Sequence, residues 1–205
     1  MLHELAAMAE QQIAECAAQI ELAEENELLR TKAFVDVLTR VWNREAIIEI
    51  ALREIAVARG DHRPVGFAIV DIDHFKRVND CRGHAAGDAV LREISARLRA
   101  EIRATDAVGR YGGDEFLIVM PDCTLKASMA ASQRIRRAIA AAPIEVEGGE
   151  VNVTASFGVA VWQTEAGPIG EVLRAADGAL YRAKARGRNR VAAAPRRRDR
   201  HDHCQ

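Results

Sequence analysis

The run Val65-Gly-Phe-Ala-Ile-Val70 ends in Asp71-Ile72-Asp73. Six uncharged residues, bounded by Pro64 and two acids, read as a buried central strand. Such a strand needs sheet neighbours and covering helices, and the rest of the chain offers both. Residues 44–59 read as a helix with Ala46, Ile47, Ile50, Ala51 and Ile55 on one face, broken by Gly60-Asp61-His62-Arg63-Pro64. A short helix follows Asp73, then a loop marked by Gly83 and Gly87, then a helix over 88–104 with Val90, Leu91, Ile94, Leu98 and Ile102 inward. Strands at 107–111 and 116–120 flank Gly112-Gly113-Asp114-Glu115, a hairpin. Further helices are expected at 124–141 and 168–186, a second hairpin around Gly148-Gly149, a strand at 156–162 and an edge strand at 190–193. This order predicts an α+β fold: a ferredoxin-like or palm-type central antiparallel sheet flanked by helices, with sheet on one side and helices on the other.

Residues 1–33 lack Gly and Pro and place Leu2, Ala6, Ala9, Ile13, Cys16, Ile20 and Ala23 at alternating steps of four and three. That heptad spacing predicts an N-terminal helical extension, either a parallel dimerising helix or one folded onto its own domain. Three regions are therefore expected: this leader, a domain over 34–193, and a basic disordered tail over 194–205. Net charge is −1, but the leader carries seven Glu against two bases, and residues 182–205 carry nine bases against two Asp. The balance argues against a nucleic-acid binder. No apolar stretch is long enough to span a bilayer. Cys16, Cys81, Cys123 and Cys204 are scattered without a CxxC pair, which suits a reduced, cytoplasmic protein rather than a zinc or disulfide framework.

Two acidic sites carry the chemistry. Asp71 stands where the buried strand runs out, and a carboxylate there can meet a divalent cation; Mg²⁺ prefers one or two carboxylates with phosphate oxygens and water. Asp73 reads better as a cap on the helix that follows. The start of that helix also offers free N–H groups to a phosphate. In the hairpin, Gly112-Gly113 permits positive φ and close approach to the backbone, and Asp114-Glu115 sets two carboxylates at its tip. If the hairpin lies beside the Asp71 strand, the two sites converge into a centre for metal-dependent phosphoryl transfer.

Arg110-Tyr-Gly-Gly-Asp-Glu-Phe116 resembles the signature of the GGDEF family, the diguanylate cyclases. Asp36-Val-Leu-Thr39 with Asn43-Arg44, Asp71–Asp80, Gly83-His-Ala-Ala-Gly-Asp88, Ser156–Ala160, Ala175–Tyr181 and Lys184–Asn189 resemble further family motifs in order, covering about residues 34–193. The resemblance implies condensation of two GTP into cyclic di-GMP with release of two pyrophosphates. It implies Mg²⁺, for which Mn²⁺ can substitute, held by Asp71, Asp114 and the Ile72 carbonyl. Asn79 and Asp88 would bind guanine, with His84 beside them. The N–H groups of His74, Phe75 and Lys76 would cradle the β-phosphate. Lys184 and Arg188, one helical turn apart, would face the terminal phosphates. For the proton of the attacking hydroxyl, Glu115 and the metal site on Asp114 stay open as alternatives. One domain holds one nucleotide, so a homodimer through residues 1–33 is implied. Arg103 and Asp106, five residues before the Gly-Gly signature, would bind cyclic di-GMP as an inhibitor, joined by Arg134 or Arg137. A receptor that binds the product without turnover is the competing reading.

Overall fold

The computed structural model describes residues 12, 34–163 and 167–195. The chain divides into two compact units, Met1–Val35 and Asp36–Gln205. The expectations for the leader helix and for most of the basic tail lie outside the described residues.

The second unit runs α1 (Arg44–Asp61), β1 (Val65–Ile72), α2 (Phe75–Arg82), α3 (His84–Glu101), β2 (Ala107–Arg110), β3 (Glu115–Pro121), α4 (Leu125–Ala140), β4 (Ile144–Val146), β5 (Gly149–Val151), β6 (Ala155–Trp162), α5 (Ile169–Ala185) and β7 (Val191–Ala193). Local chemistry starts two of these helices. The Asn43 side chain accepts from the Ala46 amide at the head of α1, and the Thr124 side chain accepts from the Ala127 amide at the head of α4.

Five strands form one sheet in the order β2-β3-β1-β6-β7. β1 pairs antiparallel with both β3 and β6, so it is the central strand that its apolar run predicts. β7 is the edge strand, but it runs parallel to β6. β4 and β5 make a separate hairpin. Without β7 and that hairpin, the strand order is that of a ferredoxin-like βαββαβ core.

Helices flank the sheet as expected, but they cover both of its faces rather than one. Ala68, Val70 and Ile72 share a core cluster with Val90, Ile94 and Leu98 of α3 and Ile135 and Ile139 of α4. Val65, Phe67 and Ile69 share another with Ile47, Ala51 and Ile55 of α1 and Val172, Ala176 and Leu180 of α5. Side chains alternate along a strand, so a strand apolar at every position feeds two cores. Gly158 on β6 allows the second core to close, because a Cβ there would strike the backbone of α5 at Ala176 and Leu180. Among the described residues, no helix is long and apolar enough to cross a membrane.

α3 begins at His84, earlier than the sequence suggests, so Gly87 lies inside the helix and not in a loop. A Cβ at Gly87 would collide with the Asn79 side-chain oxygen and press on the Phe75 ring. The glycine is there for close approach between α2 and α3.

Candidate active site

The site lies at the carboxyl end of β1. Asp71 pairs across the ladders with Glu115 on β3 and Ser156 on β6. It is only 7% exposed. The Lys184 ammonium, near the end of α5, stands 2.6 Å from Asp71 Oδ2. Burial raises the Asp71 pKa to about 6; Lys184 opposes the rise, and the charges of Asp114 and Glu115 add to it. Asp114, Glu115 and Asp71 therefore share one electrostatic neighbourhood. The Ile72 amide also donates to the Asp114 carbonyl at 3.3 Å, tying the strand end to the hairpin.

Among the described residues, no three His, Cys, Asp or Glu side chains converge as a self-sufficient metal cage. Two carboxylates with a strand-end carbonyl suit a cation that takes its remaining ligands from phosphate and water, and Mg²⁺ binds in that way. The raised pKa of Asp71 comes chiefly from burial, with a smaller contribution from the charges of Asp114 and Glu115. The donor set fits Mg²⁺ held by Asp71, Asp114 and the Ile72 carbonyl.

Asp73 departs from expectation. It does not cap α2; the N-cap is His74, at φ 59, with no side-chain bond. Asp73 instead accepts from Thr154 Oγ1 at 2.6 Å, from Ser156 Oγ at 2.7 Å and from the Asn189 amide at 2.9 Å. Buried beyond the strand, its carboxylate satisfies three donors that the short distance to β6 and the segment after α5 brings within reach. It holds the turn that carries Arg188.

That turn corrects a second expectation. Lys184 lies in α5, but the helix ends at Ala185. Gly187, Arg188 and Asn189 follow at φ 104, 57 and 44, so Arg188 is not one helical turn from Lys184. The Arg188 amide donates to the Ala183 carbonyl, and Arg136 Nη1 bonds the Asn189 side-chain oxygen at 2.6 Å. Arg188 is exposed, and its guanidinium has no bonded partner among the described residues.

The hairpin tip differs too. Gly112 and Gly113 do not take positive φ, whereas Gly148 and Gly149 in the β4–β5 turn do. The tip is instead closed by the Tyr111 and Gly112 amides, both donating to the Glu115 carbonyl at 2.8 and 3.1 Å. A Cβ at Gly112 would stand 2.6 Å from Glu115 Oε2, so this glycine makes room for the carboxylate. Arg110 Nε and Nη2 hold the Gly113 carbonyl at 3.2 and 2.8 Å, and its Nη1 reaches the Asp36 carboxylate. Asp36 also accepts from the Thr39 amide and hydroxyl. Burial alone would raise the Asp36 pKa, but Thr39 and Arg110 outweigh it and hold it low. The sequence places Asp36 and Arg110 within motifs and assigns them no role. An unpaired acid beside Thr39, and an Arg three residues before a bend, were the available signals.

The other expected residues fall into two groups. The Asn79 side chain lies against Gly87, the residue before Asp88; Asn79 and Asp88 are both half-buried, and His84 is exposed at the first turn of α3. The His74, Phe75 and Lys76 amides donate to no acceptor among the described residues, leaving donors at the head of α2. Arg103 and Asp106 lie apart from this site and close a turn on themselves, the Arg103 amide donating to Asp106 Oδ2 at 3.0 Å. Arg134 bonds Glu101 through side chain and backbone, which brings it beside that turn; Arg137 is exposed one turn further along α4.

Fold and site together define a palm-like α+β domain with an acidic centre at a strand end. The family described as "Diguanylate cyclase, GGDEF domain" matches residues 33–190, and the chain belongs to it. It is 42% identical over 163 residues to diguanylate cyclase DgcP of Pseudomonas aeruginosa, covering 79% of this chain and 24% of that protein. It is 40% identical to the response regulator PleD of Caulobacter vibrioides, covering 78% and 36%. The chain thus spans well under half of these curated relatives. The crystal structure of the coiled coil and GGDEF domain of DgcB from Caulobacter crescentus, in complex with c-di-GMP, superposes with a TM-score of 0.82 at 31% identity, covering 90% of this chain and 98% of that one.

Proposed function

We propose that this chain is a diguanylate cyclase, joining two GTP into cyclic di-GMP and releasing two pyrophosphates. The observation that carries the reading is the buried Asp71 at the end of the central strand, facing Lys184 and in the field of Asp114 and Glu115. Asn79 and Asp88 read the guanine; an amide and a carboxylate match its donors and acceptors and mismatch those of adenine. The free amides of His74, Phe75 and Lys76 hold the β-phosphate, with Lys184 and Arg188 at the terminal phosphates. Asp71, Asp114 and the Ile72 carbonyl would hold Mg²⁺, or Mn²⁺ in its place, which when bound would supply Lewis-acid stabilisation of charge on the phosphates. Each 3′-hydroxyl attacks the α-phosphorus of the other nucleotide as the bond to pyrophosphate breaks. For the proton of each attacking hydroxyl, Glu115 and the metal site on Asp114 stand as the two alternatives.

One domain holds one nucleotide in this scheme, so two domains meet face to face. Residues 1–33 would raise their effective concentration. Cyclic di-GMP at Arg103, Asp106 and Arg134 inhibits. The thiols of Cys81 and Cys123, free in the structure, fit a reducing, cytoplasmic setting. The test is incubation of the chain with GTP and Mg²⁺, with Asp114→Ala as control. Cyclic di-GMP from the parent and none from the variant supports the reading; no product from either at high protein concentration rejects it.

A further inference from the structure

A second charged feature lies away from the carboxylates. The turn Asp36–Arg40 and the outer face of α3 border an open surface hollow of about 650 Å³, lined by Val37, Leu38 and the exposed Arg40, Arg92 and Arg99 among others. Arg92 and Arg99 are seven residues apart on α3, two turns along one face. Arg99 Nη1 donates to the Arg40 carbonyl at 3.3 Å, which fixes one guanidinium at the wall. Arg40 is held at φ 58, with its amide on the Asp36 carbonyl at 2.9 Å.

Among the described residues, no acid neutralises this group. Asp36, the one acid in the lining, is occupied by Thr39 and Arg110. Glu93, on the same helix, pairs with Arg97 at 2.8 Å, and Glu101 pairs with Arg134. Among the described residues, Arg40, Arg92 and Arg99 have no ion pair. Three guanidiniums around one hollow repel one another, a cost that a bound anion reverses. Guanidiniums favour phosphate over a simple ion because their planar forks bond it bidentately. Val37, 78% exposed, and Leu38 add an apolar wall.

We propose that this hollow is a binding site for a phosphate-bearing anion, separate from the GTP site and from the Arg103 turn. The ligand sits between Arg92 and Arg99 with Arg40 closing over it. Its grip stiffens the turn whose Asp36 holds Arg110, and Arg110 holds the Gly113 carbonyl beside Asp114. Occupancy is thereby linked to the geometry of the hairpin.

Calorimetric titration of the full chain, in EDTA and without GTP, reads this directly. The probes are inorganic pyrophosphate and ATP. Saturable binding is expected, weakened at least tenfold in Arg92→Ala/Arg99→Ala and changed less than twofold in Lys184→Ala. Arg99 supports the turn, so Arg92→Ala alone serves as the second variant and should weaken binding at least threefold. ATP tighter than pyrophosphate by fivefold or more would assign a nucleotide lying on Val37 and Leu38; equal affinities would assign an inorganic ion. Either result supports the site. Binding lost in Lys184→Ala and retained in both arginine variants would place the anion on the catalytic centre and overturn the proposal, as would no saturable binding. Neither outcome depends on turnover, so this test and that of the cyclase reading fail separately.

Discussion

In the proposed reaction Asp71 would hold the cation, and its burial sets that role against the stability of the fold. Its pKa is raised to about 6, above the usual 3.8. Folding therefore favours the protonated form: the contribution is fully present below about pH 4 and is lost as pH rises through 6. At pH 7.5, without metal, the buried charge works against folding. Asp71→Asn should raise the Tm of the metal-free protein at pH 7.5, with the gain shrinking between pH 6 and 4, and should abolish turnover. Differential scanning fluorimetry across pH checks the first part; an unchanged or lowered Tm at pH 7.5 contradicts it. Asp73, two residues on, does the opposite work. Asp73→Ala leaves the Thr154 and Ser156 hydroxyls and the Asn189 amide without their acceptor, and should cost about 2–4 kcal/mol in denaturant unfolding. It should also raise the KM for GTP, by loosening the turn under Arg188. The pair shares a motif and a burial class, and the sequence separates them only by their place relative to the strand end. The sequence suggested a helix cap for Asp73, which the structure does not bear out; its actual partners, more than 80 residues downstream, were not legible.

Elements explain what turns and helices contribute to the site. The β2–β3 hairpin is tethered through Arg110 to the turn that precedes α1. Arg110→Ala and Asp36→Ala should each lower kcat severalfold, and a double-mutant cycle should give a coupling of about 1 kcal/mol. Additive losses would show that the tether carries nothing. The packing of α3 on α2 depends on Gly87. Gly87→Ala should displace Asn79 and raise the KM for GTP by about tenfold, roughly 1.4 kcal/mol, with a smaller change in kcat. An unchanged KM would separate Asn79 from the base. Elements were well legible where apolar periodicity was strong: β1, both hairpins and the four long helices stand close to their expected spans. Local patterns misled where a helix boundary was decided by contact. Gly83 and Gly87 resemble a loop, but the close approach of α2 lets α3 run through Gly87. Gly112-Gly113 suggests positive φ, but the turn closes on the Glu115 carbonyl. The helix bearing Lys184 looks long enough to include Arg188, but the backbone turns after Ala185 to deliver Asn189 to Asp73.

At the scale of the molecule, sheet order brings the pieces into one place. β1 lies between β3 and β6, so a residue at its end meets the hairpin on one side and the start of β6 on the other. α5 crosses the same end and delivers Lys184. The class of the fold was legible from element order; the second helical layer was not, because an uninterrupted apolar strand records burial without saying what covers each face. The charge gradient along the chain gains meaning from this arrangement, since part of the basic end meets the acidic strand end directly. A two-domain reaction makes a further demand, that turnover per chain rise with concentration until dimers saturate. The most direct measurement of the account tracks cyclic di-GMP formed from GTP and Mg²⁺ by the purified chain over a hundredfold range of protein concentration, beside Asp114→Ala. The account predicts product whose rate per chain climbs and then levels, and a loss of at least a hundredfold in the variant. No product across the range, or equal product from the variant, would contradict it.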